Sequence, residues 1–148
     1  MRVYTGGTFD LFHTGHVNLL RACAEVSSED GSPPDVWVSL NTDAFIEAYK
    51  GRPPVVGYED RRAVLEACRY VDKVVPNVGG ADSKTAIVAV RPRVIVIGDD
   101  WKDRDYHAQM GFTQDWLDER GIWLRYVPYT PGISSTQIRD RLWQETFQ

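Results

Sequence analysis

Short runs rich in β-branched and aromatic residues alternate along this chain with segments whose apolar residues recur at helical spacing. This alternation is typical of parallel strands joined by crossover helices. We therefore predict an α/β fold with a doubly wound, five-stranded parallel sheet and flanking helices. The predicted strands are residues 2–6, 35–41, 72–77, 93–99 and 122–129. The predicted helices are residues 16–26, 58–71, 82–90, 113–120 and 134–147.

Residues 94–97 form an unbroken apolar run, which predicts a central strand covered on both faces. A chain of 148 residues is near the usual size of one domain, so we expect a single domain over residues 1–148. The stretch 50–60 contains two prolines and two glycines before a helix and is predicted to be a loop. It would bring Lys50 and Arg52 to a place where a mobile loop can close over a ligand.

The balance of charge limits the possible partners. A formal net charge of −4 argues against a nucleic-acid partner, which would require a basic face, but leaves small anions possible. The sequence shows no apolar stretch long enough for a signal region or a membrane span, so we expect a cytoplasmic protein without a membrane partner. Cys23 and Cys68 lie in apolar helical surroundings, and we assign them no chemical role.

Small and polar residues follow three of the predicted strands. They occupy residues 6–10, 98–101 and 130–136. Since ligands of open parallel sheets bind beyond the carboxyl ends of the strands, these stretches predict the ligand edge. Gly6 and Gly7 allow close approach of the backbone to an anion, although a tight turn explains them equally well, and they match neither G-x-G-x-x-G nor the P-loop.

His13 and His16 are three residues apart and share one face if a helix has begun. A zinc site needs further ligands, and His107 is the only other histidine. Two imidazole N–H donors aimed at a phosphoryl group would stabilise charge in a transition state. A helix cap or hydrogen-bonded loop histidines would explain the same residues, and their chemistry alone leaves both interpretations open.

Two motifs at opposite ends of the chain carry a resemblance. The stretches "GTFDLFHTGH" and "GISSTQIR" resemble the HxGH and ISSTxxR motifs of the cytidylyltransferase-like nucleotidyltransferases, and "KGRPP", "YEDRRAVLEACRYVDKVVP" and "GDDW" extend the similarity over most of the chain. Within that family the chain is most similar to glycerol-3-phosphate cytidylyltransferases. The resemblance implies a Rossmann-like sheet. It also implies transfer of CMP from CTP to a phosphorylated alcohol such as glycerol 3-phosphate, giving CDP-glycerol and pyrophosphate without a covalent intermediate.

The resemblance also implies roles for individual residues, a homodimer contact at residues 69–75, and Mg²⁺ held mainly through the nucleotide phosphates. It leaves the protein ligands of the metal undetermined. Catalytic roles fall to His13, His16 and Lys50. Nucleotide-binding roles fall to Gly7, Thr8, Phe9, Asp10, Gly15, Arg61, Arg69, Gly98, Asp99, Tyr129, Thr130, Gly132, Ile133, Ser134, Ser135 and Thr136. Acceptor-binding roles fall to Lys84, Asp100 and Trp101.

The chain departs from the family pattern at two places. Tyr129 stands where the glycerol-phosphate and choline-phosphate enzymes carry an arginine, and a neutral phenol does not supply that charge. The family's tryptophan after the third strand has no counterpart in "NVGGADSK". Two other functions therefore stay open. One is adenylyl transfer from ATP to a sugar phosphate or another phosphorylated acceptor, and the other is a nucleotide-binding module without catalysis.

Overall fold

A five-stranded parallel sheet organises the chain. The computed structural model describes residues 1–78, 83–99, 107 and 110–147. The strands are β1 (Arg2–Gly7), β2 (Asp35–Asn41), β3 (Lys73–Asn77), β4 (Val94–Gly98) and β5 (Trp123–Val127). Helices within the described residues are α1 (Thr14–Ala24), α2 (Asp43–Lys50), α3 (Tyr58–Ala67), α4 (Lys84–Val90), α5 (Gln114–Glu119) and α6 (Ser135–Phe147).

The strand order is β3-β2-β1-β4-β5, and every pair is parallel. This order confirms the predicted doubly wound, Rossmann-like sheet. The chain first builds outward from β1 to β3 and then returns to the other side of β1 to add β4 and β5. The direction of winding therefore reverses between β1 and β4, which is where open α/β sheets bind ligands.

Apolar residues cover both faces of the sheet. On one face Tyr4 and Ile95 pack with Ile87 of α4 and Leu117 of α5. On the other face α1 and α3 cover the sheet, and Leu65 of α3 is fully buried there. Strand β4 lies between β1 and β5, and its first four residues are all buried. The prediction of a central strand from residues 94–97 is confirmed.

Helix α2 is the main difference from the predicted elements, because the sequence pattern predicts no helix over residues 43–49 and predicts a loop at Lys50. Thr42 caps this helix, since its side chain accepts a hydrogen bond from the backbone N–H of Phe45. Gly51 ends it in the left-handed conformation, with φ of 72°. Both residues are sequence signals for a short helix that the proline-rich stretch after it obscured.

Two expectations concern membranes and thiols. No helix of the described ranges is both long and apolar enough to cross a membrane. Both cysteines are free thiols, and Cys23 is buried. Burial raises the pKa of the Cys23 thiol to about 12, so it stays protonated and unreactive at neutral pH.

Candidate active site

A cleft of about 620 Å³ opens at the carboxyl ends of the strands. Its size is that of a small-molecule site. Its walls come from the β1–α1 loop, one face of α2, the ends of the other strands, and the loop that leads from β5 into α6. The cleft therefore lies where the reversal of strand order predicts a ligand site.

His13 and His16 cap α1 reciprocally. The backbone N–H of Gly15 donates to Nδ1 of His13 over 3.0 Å. The backbone N–H of His13 donates to Nδ1 of His16 over 3.2 Å. The two rings stack with their centroids 3.9 Å apart. The pair is thus a helix cap, as one interpretation of the sequence held, and both residues also line the cleft.

The capping hydrogen bonds determine what the two imidazoles can offer a ligand. Because each Nδ1 accepts a hydrogen bond, the proton of each neutral ring lies on Nε2. Neither Nε2–H has a hydrogen-bond partner among the described residues. Desolvation lowers the pKa of His13. Desolvation, and to a lesser extent His13, lower the pKa of His16 to about 4, with Asp10 opposing. Both rings are therefore neutral N–H donors at pH 7.

Gly15 and Phe9 hold this arrangement by close packing. A Cβ atom at Gly15 would lie 2.8 Å from Cε1 of His13, so only glycine leaves that ring its place. Phe9 adopts φ of 50°, an unusual conformation for a bulky residue, and its ring packs 5.2 Å from that of His16. The backbone strain is found beside the histidine pair, where functional sites commonly store it.

A second helix, α6, also begins at the cleft. Ser134 caps it, because its Oγ accepts a hydrogen bond from the backbone N–H of Gln137. Ser135 donates its hydroxyl to the backbone carbonyl of Asp10 over 2.8 Å, and α6 buries none of its residues. The amino ends of α1 and α6 therefore meet at one cleft. Helix amino ends carry partial positive charge and free N–H groups, which is an arrangement that suits phosphate.

The loop between β5 and α6 is held by side chains of other elements. Asp99, just after β4, accepts a hydrogen bond from the backbone N–H of Tyr129 over 2.9 Å. Asn18 of α1 donates to the hydroxyl of Thr130 over 3.0 Å. Tyr129 and Thr130 line the cleft, whereas Asp99 holds the loop without being part of the wall.

Asp10 is buried and joins three parts of the site. Its carboxylate accepts hydrogen bonds from the backbone N–H groups of Leu11, Val55 and Val56, at 3.1, 2.7 and 2.9 Å. The guanidinium of Arg139 on α6 lies 3.9 Å from the same carboxylate. These contacts make Asp10 a positioning residue within the chain, and it lies behind the wall of the cleft.

Positive charge gathers beside Asp10. Partial desolvation lowers the pKa of the Lys50 ammonium, and the guanidinium groups of Arg139 and Arg52 act in the same direction. The carboxylate of Asp10 opposes them. Arg139 and Arg52 are therefore close enough to Lys50 to repel its ammonium group. An anion placed among them would relieve that repulsion.

Arg61 is a buried structural residue that links several segments of the chain. Its side chain is 1% exposed. It donates to the backbone carbonyls of Val56, Thr8 and Asn41 at 2.8, 2.8 and 2.9 Å, and to the carboxylate of Asp43 at 2.6 Å. All of these partners belong to the protein, so the structure gives Arg61 a role in holding the strand ends together and keeps it out of the cleft wall.

Arg69 follows α3 and is not brought to the cleft. It is exposed and donates to the phenol of Tyr70, which also accepts from Arg21 near the end of α1. Because α1 and α3 both begin at the cleft edge, their ends lie at the opposite edge of the sheet. A nucleotide-binding role for Arg69 within its own chain has no geometric support.

The cleft thus unites many of the predicted site residues and leaves others outside its wall. Predicted residues that line it are Gly7, Thr8, Phe9, His13, Gly15, His16, Gly98, Tyr129, Thr130, Ile133, Ser134 and Ser135. Predicted residues that do not line it are Asp10, Lys50, Arg61, Arg69, Lys84, Asp99, Gly132 and Thr136. Asp100 and Trp101 lie outside the described residues.

Sequence reasoning missed a further part of the wall. Asn41 and Asn77 end β2 and β3, and Phe45 and Tyr49 come from α2. Both asparagines are polar residues at strand ends, which is the same signal that predicts the ligand edge from residues 6–10, 98–101 and 130–136. Phe45 and Tyr49 can be assigned to the cleft only when residues 43–50 are known to form a helix.

Comparison with known proteins identifies the family. The family described as Cytidylyltransferase-like matches residues 4–141. The chain belongs to that family. It is 33% identical to a glycerol-3-phosphate cytidylyltransferase of Bacillus subtilis (strain 168) over 141 residues, which cover 95% of this chain and 96% of the relative. The chain is a nucleotidyltransferase.

The chain is also similar to proteins with other names. The chain is 40% identical to an FAD synthase of Pyrococcus horikoshii over 100 residues, or 68% of this chain and 64% of that protein. A lipopolysaccharide core biosynthesis protein of Thermoplasma volcanium GSS1 has the same fold, with a TM-score of 0.63 and 24% identity, over 88% of this chain and 96% of that one. The relatives therefore differ in the substrates that their names imply.

Gly15→Ala tests the placement of His13. The new Cβ displaces the imidazole, so we expect turnover in pyrophosphate release to fall at least tenfold. The free energy of unfolding should change by less than about 1 kcal/mol, because alanine is a better helix former than glycine. Thr14→Ala, at the exposed neighbouring position, is the control and should change neither quantity. Unchanged turnover in Gly15→Ala would show that the position of His13 is not used.

Arg61→Ala tests the structural role of this buried arginine. Removal takes the guanidinium donor from three backbone carbonyls and from Oδ1 of Asp43, so we expect urea denaturation to show a fall of about 3 kcal/mol or more in the free energy of unfolding. Arg62→Ala removes a neighbouring arginine whose ion pair with Glu66 is exposed, and it should cost far less. Equal losses in the two variants would contradict the buried role of Arg61.

The low pKa of His16 predicts a pH dependence of stability. The folded protein keeps this ring neutral down to about pH 4, whereas the unfolded chain binds a proton near pH 6.5. Stability contributed by the neutral ring is therefore present above pH 6.5 and is lost as the pH falls from 6.5 to 4. In urea denaturation, the free energy of unfolding should fall more between pH 7 and pH 4.5 in the wild type than in His16→Asn. Equal losses in the two proteins would contradict the lowered pKa of His16.

Proposed function

We propose that this nucleotidyltransferase joins the α-phosphoryl group of a nucleoside triphosphate to a phosphate monoester and releases pyrophosphate. A phosphate oxygen of the acceptor attacks the α-phosphorus in line. The bond from the α-phosphorus to the bridging oxygen of the β-phosphate breaks, and pyrophosphate takes that electron pair. No side chain needs to form a covalent bond in this step, so the protein acts by positioning and by stabilising charge.

The observation that carries this proposal is the pair of free Nε2–H groups at the start of α1, beside the start of α6. Each neutral imidazole keeps its Nε2–H and can donate it to a phosphoryl oxygen at neutral pH. Donors fixed in advance by the capping hydrogen bonds cost little reorganisation when charge develops at the α-phosphorus. Ser134, Ser135 and the amino end of α6 would then receive the leaving pyrophosphate.

Lys50, Arg52 and Arg139 supply the positive charge that the proposal requires. None of them lines the cleft, so they would act on the phosphates by longer-range attraction. Mg²⁺, bound through those phosphates, would neutralise further charge. The described residues include no group of three or more His, Cys, Asp or Glu side chains that could form a metal cage, and the Asp10 carboxylate is already occupied by backbone N–H groups.

Two substrate pairs are candidates. CTP with glycerol 3-phosphate is supported by similarity to glycerol-3-phosphate cytidylyltransferases over nearly the whole chain. ATP with another phosphorylated acceptor is supported by the FAD synthase relatives and by Tyr129, which replaces a charge expected in the glycerol-phosphate enzymes. The homodimer contact at residues 69–75 stays a prediction, and the exposure of the Arg69 side chain is compatible with it.

Pyrophosphate release from CTP and ATP with a series of phosphate monoesters tests the proposal. The wild type should release pyrophosphate with at least one pair. His16→Asn keeps an acceptor for the capping N–H of His13 but lacks the Nε2–H donor. We expect it to lower kcat about 100-fold or more and to change nucleotide Kd less than threefold. Nucleotide binding without any pyrophosphate release would instead support a non-catalytic binding module.

A further inference from the structure

The face of α2 that lines the cleft is aromatic. Phe45, Ala48 and Tyr49 follow the i, i+3, i+4 spacing and all line the cleft, while Ile46 points into the core. The rings of Phe45 and Tyr49 are nearly parallel, with an angle of 17° between their planes and 6.3 Å between their centroids. Tyr49 is 57% exposed. Two accessible, parallel rings therefore form one wall of the site.

The rest of the described wall carries no formal charge at neutral pH. It contains no lysine, arginine, aspartate or glutamate, and its two histidines are neutral. A small polyol would leave the rings of α2 facing water. A planar ring system would gain from stacking on this aromatic face, above all on the exposed ring of Tyr49.

The topology places α2 on the acceptor side, if the proposed function holds. Helix α2 follows β2 and α6 follows β5, so they stand on opposite sides of β1 in the strand order. The His13–His16 pair follows β1 and lies between them. In-line displacement requires the attacking oxygen and the leaving pyrophosphate to lie on opposite sides of the α-phosphorus. With pyrophosphate at α6, the acceptor lies at α2.

A chain of amides continues this wall. Asn77, which is 6% exposed, donates its Nδ2–H to Oδ1 of Asn41 over 2.9 Å. Asn41 in turn donates to the hydroxyl of Thr8 over 3.1 Å. Oδ1 of Asn77 accepts no hydrogen bond from the described residues. This oxygen is not among the buried polar atoms of the described residues that lack a partner, so it is an accessible acceptor in the cleft wall, suited to an N–H group on the rim of a flat ligand.

We infer that the acceptor is a phosphate monoester whose body is a planar ring system. It stacks on Tyr49 and Phe45 and presents its phosphate to the histidine pair. This inference rests on the proposed function and favours the second of its two substrate pairs. Tyr49 and Phe45 are then specificity-determining residues, and removing a ring should affect the planar acceptor without affecting the nucleotide.

A binding measurement tests this inference independently of turnover. The protein is saturated with a non-hydrolysable CTP or ATP analogue, and flavin mononucleotide is titrated by quenching of its fluorescence, with nicotinamide mononucleotide and glycerol 3-phosphate as competitors. We expect Tyr49→Ala to weaken binding of flavin mononucleotide about tenfold, and Tyr49→Phe to stay within twofold of the wild type. Val64→Ala, at an exposed apolar position of α3 outside the cleft, is the control and should change nothing.

The inference is overturned if neither planar probe binds, if Tyr49→Ala and Phe45→Ala bind them as the wild type does, or if glycerol 3-phosphate binds more tightly than both. Pyrophosphate release separates this result from the proposed function. Release with glycerol 3-phosphate, without binding of planar probes, sustains the function and rejects the planar acceptor. Binding of flavin mononucleotide that depends on Tyr49, without pyrophosphate release from any pair, sustains the acceptor site and rejects the function.

Discussion

The buried carboxylate of Asp10 is the constraint on which the rest of the site depends. It holds the loop after α2 through the N–H groups of Val55 and Val56, and it attracts Arg139 of α6. Its own carbonyl accepts the hydroxyl of Ser135. A carboxylate removed from water needs several such donors, so the three segments are drawn to one point. The histidine pair begins only three residues later, and its position relative to both loops follows from this junction.

The site separates two kinds of electrostatic contribution. Its described wall offers N–H and O–H dipoles, whereas the full charges of Lys50, Arg52 and Arg139 lie beside it. Dipoles fixed by the fold act at short range and determine where a phosphoryl group sits. Charges at the side act over longer distances and favour the arrival of an anion at a chain whose net charge is −4. A net-acidic protein can in this way bind highly charged anions.

The fold and the two ends of the site could be predicted because they depend on local pattern and topology. Alternating strands and helices determine a parallel sheet, and that sheet brings residues 6–10 and 130–135 to one edge. Arg61 shows where such reasoning fails. An arginine that is buried for a structural role and one that binds phosphate have the same side chain. Only the positions of the carbonyls of Thr8, Asn41 and Val56 distinguish the two roles. Helix α2 was missed although Thr42 and Gly51 mark its ends, because the proline-rich stretch that follows it indicated a loop.

Helix α6 contributes its first turn to the site but buries none of its residues. Little free energy of packing therefore holds it, and its attachment rests mainly on Ser135 and Arg139 at the Asp10 junction. Docking of this helix and binding of phosphate at its amino end are then thermodynamically linked: a ligand held by the first turn increases the population in which α6 is docked. The same weak attachment that leaves α6 exposed lets occupancy of the cleft determine how firmly the end of the chain is ordered.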